Sequence, residues 1–374
     1  MSHIGGSFVI ARNTAFTYKG KPVDAKQIGR ELGVRYLLEG SVRRLAEKVE
    51  INAQLISTET GAHVWADRFG GDRTKLGELQ VDVVSRLANS LGVELVKAEA
   101  LRSMRERPNN PDAADLAMRA RARFNSSGDS KSINSDIIDL SDRALALDPQ
   151  NERAMVDSAF ALSDRVTNRW GDDHAGDMAR ADKLADSALA LQPDDAPAHM
   201  AKAEVFFNKQ QWRAAISQAE AALADDPNYA EAHAELSFWN LFLGHSEDAF
   251  AGIETALRLS PRDPDVSLWQ FFTCHLHSHL AQWEQVIEWC GKSIASGSQI
   301  PYTFVDLAAA NAWAGHDKEA KEAAAQLQKV YPGFTVQTWA GIRWSDDPTF
   351  NAQYERITEG LRKAGLPEGE AKSN

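Results

Sequence analysis

Cysteine is nearly absent from this chain: Cys274 and Cys290 are the two in 374 residues. Two are too few for a disulfide framework, and such a count fits a reducing compartment in which thiols stay free. Long hydrophobic runs are lacking as well, since no stretch approaches the roughly 18 apolar residues of a membrane span. The N-terminus, Met1-Ser2-His3-Ile4-Gly5-Gly6-Ser7, shows no basic region followed by an apolar one, as a secretion signal would. Together these absences point to the cytoplasm. Glycine is not gathered into a phosphate-cradling loop, because Gly5-Gly6-Ser7 is too short and has no lysine behind it. A Gly-x-Ser-x-Gly nucleophile turn is missing too. No catalytic constellation and no cofactor are expected.

Positive charge is scarce where a nucleic acid would need it. The net charge is −12, with residues 1–107 carrying 17 Lys and Arg against 13 Asp and Glu, and the rest 24 against 40. An acidic majority argues against a general phosphate-binding groove. Arg12, Lys19, Lys21, Arg43 and Arg44 read as a solvated face rather than a docking patch.

What the chain has in abundance is one phrase. Ala144-Leu145-Ala146-Leu147-Asp148-Pro149 returns as Ala188-Leu189-Ala190-Leu191-Gln192-Pro193, Ala222-Leu223-Ala224-Asp225-Asp226-Pro227 and Ala256-Leu257-Arg258-Leu259-Ser260-Pro261. The last three prolines are 34 residues apart, the length of one helix-turn-helix unit that cannot bury its apolar face alone. Six units follow, over 112–149, 152–193, 196–227, 230–261, 264–297 and 301–332. In the third, Ala203 and Phe206 sit on the first helix and Ala215, Ala219 and Ala222 on the second; Leu236, Ser237, Ala249, Ile253 and Ala256, then Leu307, Ala308, Ala320 and Ala324, repeat the pattern. The second unit carries about ten extra residues around Asn168-Arg169-Trp170-Gly171-Asp172-Asp173-His174, read as a protruding loop with disorder as the equal alternative.

Before the break at Arg105-Glu106-Arg107-Pro108-Asn109-Asn110-Pro111-Asp112 the pattern is mixed. Phe8-Val9-Ile10-Ala11 reads as a strand and Val23 to Leu32 as a helix stopped by Gly33. Two strands, Arg35–Leu45 and Val49–Ser57, turn around Ala46-Glu47-Lys48, with Val49, Ile51, Ala53 and Leu55 facing a core. A third strand spans His63–Phe69. A helix from Thr74 to Met104 aligns Leu76, Leu79, Val83, Leu87 and Leu91. Gln27-Ile28-Gly29-Arg30-Glu31-Leu32-Gly33-Val34 imitates the start of a helix-turn-helix reader, but the strand-like Arg35 to Gly40 follows where a recognition helix should be.

The hairpins resemble tetratricopeptide repeats (TPR). Phe8 to Gly20, Leu38-Glu39-Gly40-Ser41-Val42-Arg43-Arg44 and Ala53 to Ala66 resemble the TolB amino-terminal-type domain, which in bacterial regulators sits between a class III nucleotide cyclase or winged-helix output domain and a TPR array. The segment from Pro332-Gly333-Phe334-Thr335 to Gly365-Leu366-Pro367 is similar to the tail of those proteins. The resemblance implies a strand and helix ahead of Phe8 that this chain lacks, so an incomplete domain with an exposed edge is expected, the C-terminal remnant of a longer regulator or a shortened frame. The paired metal-binding acids of the cyclases have no counterpart here.

In such arrays the first helices line the concave surface. That places Met200, Glu204, Phe207, Phe238, Leu241, Phe242, Leu268, Phe272, His275, Tyr302 and Trp313 in an aromatic, apolar groove suited to an apolar or amphipathic protein segment. The competing reading is self-packing, through a tight superhelix or a docked C-terminal tail. Cys274, His275, His277 and His279 are the densest metal-capable group, yet fit no zinc spacing and read as packing. Asp172, Asp173 and His174 read as a soluble loop. The expectation is therefore a mostly α protein: a TPR-like α-solenoid superhelix over 112–332, a small α/β domain over 1–107, and capping helices with a disordered tail over 333–374. Its expected work is partner capture, non-catalytic; the alternatives are an accessory part of a class III cyclase or of a winged-helix regulator.

Overall fold

A computed structural model describes residues 10, 12–21, 23–72, 74, 76–126 and 130–369. The chain divides into two units, Met1–Pro111 and Asp112–Asn374. In the first, α1 (Arg12–Phe16) and α2 (Ala25–Leu32) precede three strands, β1 (Tyr36–Leu45), β2 (Lys48–Ser57) and β3 (His63–Asp72), and the long helix α3 (Leu76–Glu106). The Asp24 carboxylate accepts the Lys26 N–H at 2.8 Å to start α2, and Gly33, at φ +65°, ends it. The sheet is antiparallel throughout, in the order β1-β2-β3, and the β1–β2 turn puts Ala46 at φ +49°. Val49, Ala53 and Leu55 are buried on β2. Ala53 and Phe69 meet Val83 of α3, flanked by Ile51, Trp65 and Leu87. The strand expected over Phe8–Ala11 lies outside the described residues except for Ile10, which is not in a strand.

The second unit is helical. Its hairpins are α4 (Ala113–Phe124) with α5 (Lys131–Leu147), α6 (Glu152–Thr167) with α7 (His174–Leu191), α8 (Ala196–Asn208) with α9 (Trp212–Asp225), α10 (Ala230–Asn240) with α11 (Phe250–Leu259), α12 (Val266–His279) with α13 (Trp283–Ala295), and α14 (Pro301–Ala314) with α15 (Asp317–Val330). The repeated phrase has a direct cause. A residue preceding proline is pushed out of the helical region, and Asp148, Gln192, Asp226 and Ser260 all sit between φ −130° and −138°. Tyr331, ahead of Pro332, does the same at φ −134°.

The turn inside each hairpin repeats as well. One residue is left-handed in every case described: Arg169, Gln210, Gly244, Ala281 and Gly315, at φ +54° to +81°. Packing depends on small side chains at the helix crossings. Ala203, Ala215, Ala219, Ala222, Ala256 and Ala308 have no exposed surface, which lets backbones approach while Phe206, Leu236 and Leu307 fill the gaps between hairpins.

The extra residues of the second unit do not form a protruding loop. Compared with the third unit, α6 is three residues longer than α8, α7 four longer than α9, and the connection Asn168–Asp173 only three longer. Most of the insertion lengthens helices, because the added residues continue the helical pattern and Asp173 caps α7 by accepting the Gly176 N–H at 2.9 Å. An Arg165–Asp177 ion pair ties the two helices beside the turn.

Beyond the sixth hairpin come α16 (Val336–Ala340) and α17 (Pro348–Lys363), and the chain returns so that Val336 and Gln337 donate to the carbonyls of Pro367 and Glu368 at 2.9 and 3.0 Å. The tail expected to be disordered is thus ordered through 369; 370–374 lie outside the described residues. Helix α17 lies against α12 and α14. Gly360 is where it comes closest: a Cβ there would stand 2.9 Å from the Ala309 Cα and 2.9 Å from Trp313 Cδ1. Replacing Gly360 by Ala gains helix propensity of about 1 kcal/mol but forces two backbones apart, which costs about 1–3 kcal/mol. We expect Gly360→Ala to lower the thermal midpoint and loosen α17; hydrogen exchange of α17 amides unchanged from wild type would contradict this contact.

Candidate functional site

The row of first helices was the expected partner-binding face, and its two halves differ. Over α10, α12 and α14 the aromatic side chains pack on each other and on the C-terminal segment. Phe238 stacks on Phe272 with centroids 4.0 Å apart, and Trp212 on Phe242 at 4.2 Å. Phe242 also meets Trp344 at 5.9 Å and Phe350 at 5.5 Å, His275 faces Trp339, and Tyr302 meets Trp339 at 5.8 Å. Polar contacts secure this cover. Trp212 Nε1 donates to the Trp344 carbonyl at 3.0 Å, Ser345 Oγ to the Phe242 carbonyl at 2.6 Å, Tyr354 OH to the Trp339 carbonyl at 2.7 Å, and Trp313 Nε1 to the Arg356 carbonyl at 3.0 Å.

Six of the eleven groove residues are therefore buried: Met200, Phe238, Leu241, Phe242, Phe272 and His275. Glu204, Phe207, Leu268, Tyr302 and Trp313 stay partly exposed. Phe242 and His275 among them lie directly against the chain's own C-terminal segment, so a partner reaches these two only by displacing it. The physical reason is that rings this large, on helices this close, find each other and α17 before they find solvent.

Over α4, α6, α8 and α10 the same row is acidic, which the reading of the groove as apolar missed. Arg121 pairs with Asp157, both buried, and its guanidinium lies 5.0 Å over the Phe124 ring. Burial pushes the Asp157 carboxyl up, and the Arg121 charge opposes it. Tyr229 OH donates to Glu231 Oε2 at 3.1 Å. Burial pushes Glu231 up to about 7. Glu204 is pushed up to about 8 by burial and then by Glu231. Glu235, 8% exposed, is raised well above the usual carboxylate range by burial, with Glu204 and Glu231 adding to it. Glu152, next to Asp195, is pushed up to about 7 by burial and then by that neighbour. The sequence held one signal of this, the like charges of Glu231 and Glu235 one turn apart on α10.

The Cys274, His275, His277, His279 group does not converge. His277 bonds Gln282 and rests on Phe250, while His275 Nδ1 bonds Asp306 Oδ2 at 2.8 Å and His279 Nδ1 bonds Gln353 Oε1 at 3.2 Å. Burial, then His275, holds His279 well below the usual imidazole range. Contrary to the expectation of free thiols, Cys274 and Cys290 form a disulfide. Their spacing of 16 residues brings one cysteine from each helix of the α12–α13 hairpin to the same level. On the sheet, a depression lined by Glu39, Ser41, Asn52 and Gln54 has its polar groups already paired, with Gln54 Nε2 donating to Glu39 Oε2 at 2.9 Å. No described helix is long and apolar enough to cross a membrane.

No protein-family model matches the chain. Over 226 residues, 59% of its length, it is 34% identical to a protein of Rhizobium meliloti (strain 1021) named "Putative adenylate cyclase 3", of which the match covers 37%. This chain therefore spans little more than a third of that relative. Among solved structures, the APC/C hetero-tetramer Cut9-Hcn1 aligns at TM-score 0.52 with 10% identity, over 71% of this chain and 46% of that one. A monomeric mutant of IFIT1 with Gppp-AAAA aligns at TM-score 0.52 with 13% identity, over 76% and 66%. A tetratricopeptide repeat protein from Parabacteroides merdae aligns at TM-score 0.41 with 14% identity, over 78% and 98%. Such likeness is one of fold. The chain is mostly α-helical, with a TPR-like stack and a small three-stranded sheet at its N-terminal end.

Carboxyls raised in the folded state bind protons there that the unfolded chain releases near 4.5. Their contribution is complete below the unfolded value and is lost as pH rises through the folded one. His279 works in the opposite sense, but its effect is finished above its unfolded value of 6.5. Between about pH 7 and about pH 9 the urea midpoint is thus expected to fall, and Glu204→Gln to flatten the fall. A midpoint that holds constant or rises across that window would refute the assignment.

Proposed function

We propose that this chain is a non-catalytic scaffold that captures a segment of a partner protein on the acidic half of its first-helix row. One observation carries the proposal: Glu204 on α8 and Glu231 and Glu235 on α10 act on one another as like charges, and burial together with that repulsion pushes the Glu204 and Glu235 carboxyls up. A carboxylate partly withdrawn from water beside like charges is relieved by an incoming cation. Phe207 lies one turn beyond Glu204 on the same helix and remains partly exposed. An amphipathic helix with a Lys or Arg stripe beside apolar side chains matches that pairing. The wholly apolar ligand is the weaker candidate, since the aromatic half is covered by α17.

Within this proposal the chain serves bacterial signalling in the cytoplasm, with the first unit as a TolB amino-terminal-type module. The succession of helix, three strands and long helix supports that reading. A second reading draws on the cyclase-named relative: the chain would be an accessory part of a class III nucleotide cyclase, with turnover residing in sequence that the match leaves uncovered. The winged-helix regulator is the remaining alternative, and rests on the resemblance alone.

The test is fluorescence anisotropy with a labelled Lys-rich amphipathic helical peptide and its Glu-substituted counterpart. The basic peptide should bind and the acidic one should not, and Glu204→Gln with Glu235→Gln should weaken binding about tenfold, equivalent to about 1.4 kcal/mol. Equal affinity for both peptides would sink the charge argument. Cyclic nucleotide formed from ATP by this chain alone would sink the scaffold.

A further inference from the structure

We propose that Cys274, Cys290 and Asp306 form a redox-gated site for a thiolate-seeking divalent cation, Zn2+ foremost. The three come from α12, α13 and α14, have no exposed surface, and bring their ligand atoms within 4.8 Å of one another. The disulfide is one state of this cluster, and its surroundings fit a second. Asp306 Oδ1 and Thr303 Oγ1 are fully buried and make no hydrogen bond. A sulfur pair in the oxidised state offers neither a donor nor a positive charge to a buried carboxylate, and leaving such a group unpartnered costs free energy.

The other carboxylate oxygen is held. His275 Nδ1 bonds Asp306 Oδ2 at 2.8 Å, the outer contact that in metal sites orients a ligating carboxylate. Cys290 Sγ lies 3.3 Å from the Thr303 carbonyl, so the threonine lines the same spot. Two thiolates and one carboxylate form a donor set that selects zinc over magnesium or calcium, which require oxygen cages.

The conversion balances. A dithiol reductant transfers two electrons and two protons to the Cys274–Cys290 bond, which breaks to two thiols while the reductant closes to its own disulfide. Binding of Zn2+ then releases the two thiol protons to solvent as two metal–sulfur bonds of about 2.3 Å form. A disulfide oxidant that accepts the two electrons, with two protons from solvent, and is itself reduced to a dithiol reverses the order: the Cys274–Cys290 bond reforms and the ion is expelled. Because α12 and α14 also carry the face on which α17 rests, the occupied site would brace that docking; the inference stands apart from the choice of partner.

The experiment uses the full chain, unfolded in urea, reduced with a phosphine, and refolded with Zn2+ or Co2+ so that a buried site can load. The expected result is about one equivalent of metal retained through gel filtration, with a thiolate-to-Co2+ absorption band. The chain refolded with its disulfide intact should retain none. Asp306→Asn should lower affinity about tenfold or more, and Cys290→Ser should abolish the band. Should Cys290→Ser fail to fold, the comparison of oxidised and reduced wild type decides. Absence of stoichiometric metal in the reduced chain, equal retention by the oxidised chain, or metal bound without the thiolate band would overturn the proposal.

Discussion

The close approach of helix backbones at alanine is the constraint on which the second unit depends. A two-helix hairpin exposes as much apolar surface as it hides, and becomes stable only when the next hairpin covers it. Ala198, Ala201, Ala215, Ala219 and Ala222 have no exposed surface, so neighbouring helices meet almost backbone to backbone. The large residues are then pushed to the seams, where Trp239, Trp269 and Phe160 are fully enclosed. Every hairpin must end at the same phase for this to continue. In five of the six hairpins the X-Pro step supplies that regularity by ejecting one residue from the helix at a fixed place; α13 ends instead at Ser296 without a proline.

The same rule explains why the row of first helices is not uniform. Where its side chains are aromatic they cannot remain in water, and the chain covers them with α16 and α17, using Trp339, Trp344, Phe350 and Tyr354 as a lid. Gly360 is the concession that lets α17 lie on α14. Where the side chains are carboxylates no internal cover is attracted. Arg121 answers Asp157, while burial and like-charge neighbours favour the neutral, protonated form of Glu204 and Glu235 unless a cation comes from elsewhere. A solenoid of this kind chooses its ligand by which part of its inner face it leaves unsatisfied.

The legibility of the chain tracks the range of the interactions involved. Asp24, Gly33 and the alternation Val49, Ala53, Leu55 act over a few residues, and the elements they announce are found within about two residues of where they were expected. The ten added residues of the second unit were misjudged because helix lengthening and loop growth look alike when only the spacing of prolines is read. Of the groove residues, Leu241 and Phe242 fall in the 3-10 turn Leu241–Leu243 that follows α10, and the exposure of all of them depends on what lies above them. Met200 looks like any first-helix apolar residue until the adjoining hairpins are in place.

By itself the sequence determined the repeat: its period, the residue that ends each helix, and the small side chains at each crossing, because these follow from proline sterics and side-chain volume. It also determined the acidity of the stack. Tertiary structure alone decided that Cys274 meets Cys290 and Asp306, that His275 bonds Asp306, and that Glu204 feels the charges of Glu231 and Glu235. Those neighbours lie 16 to 32 residues apart along the chain. Only the stacking of one hairpin on the next, which sets which turn of one helix faces which turn of another, brings their charges and sulfurs into a common low-dielectric space where they act on each other.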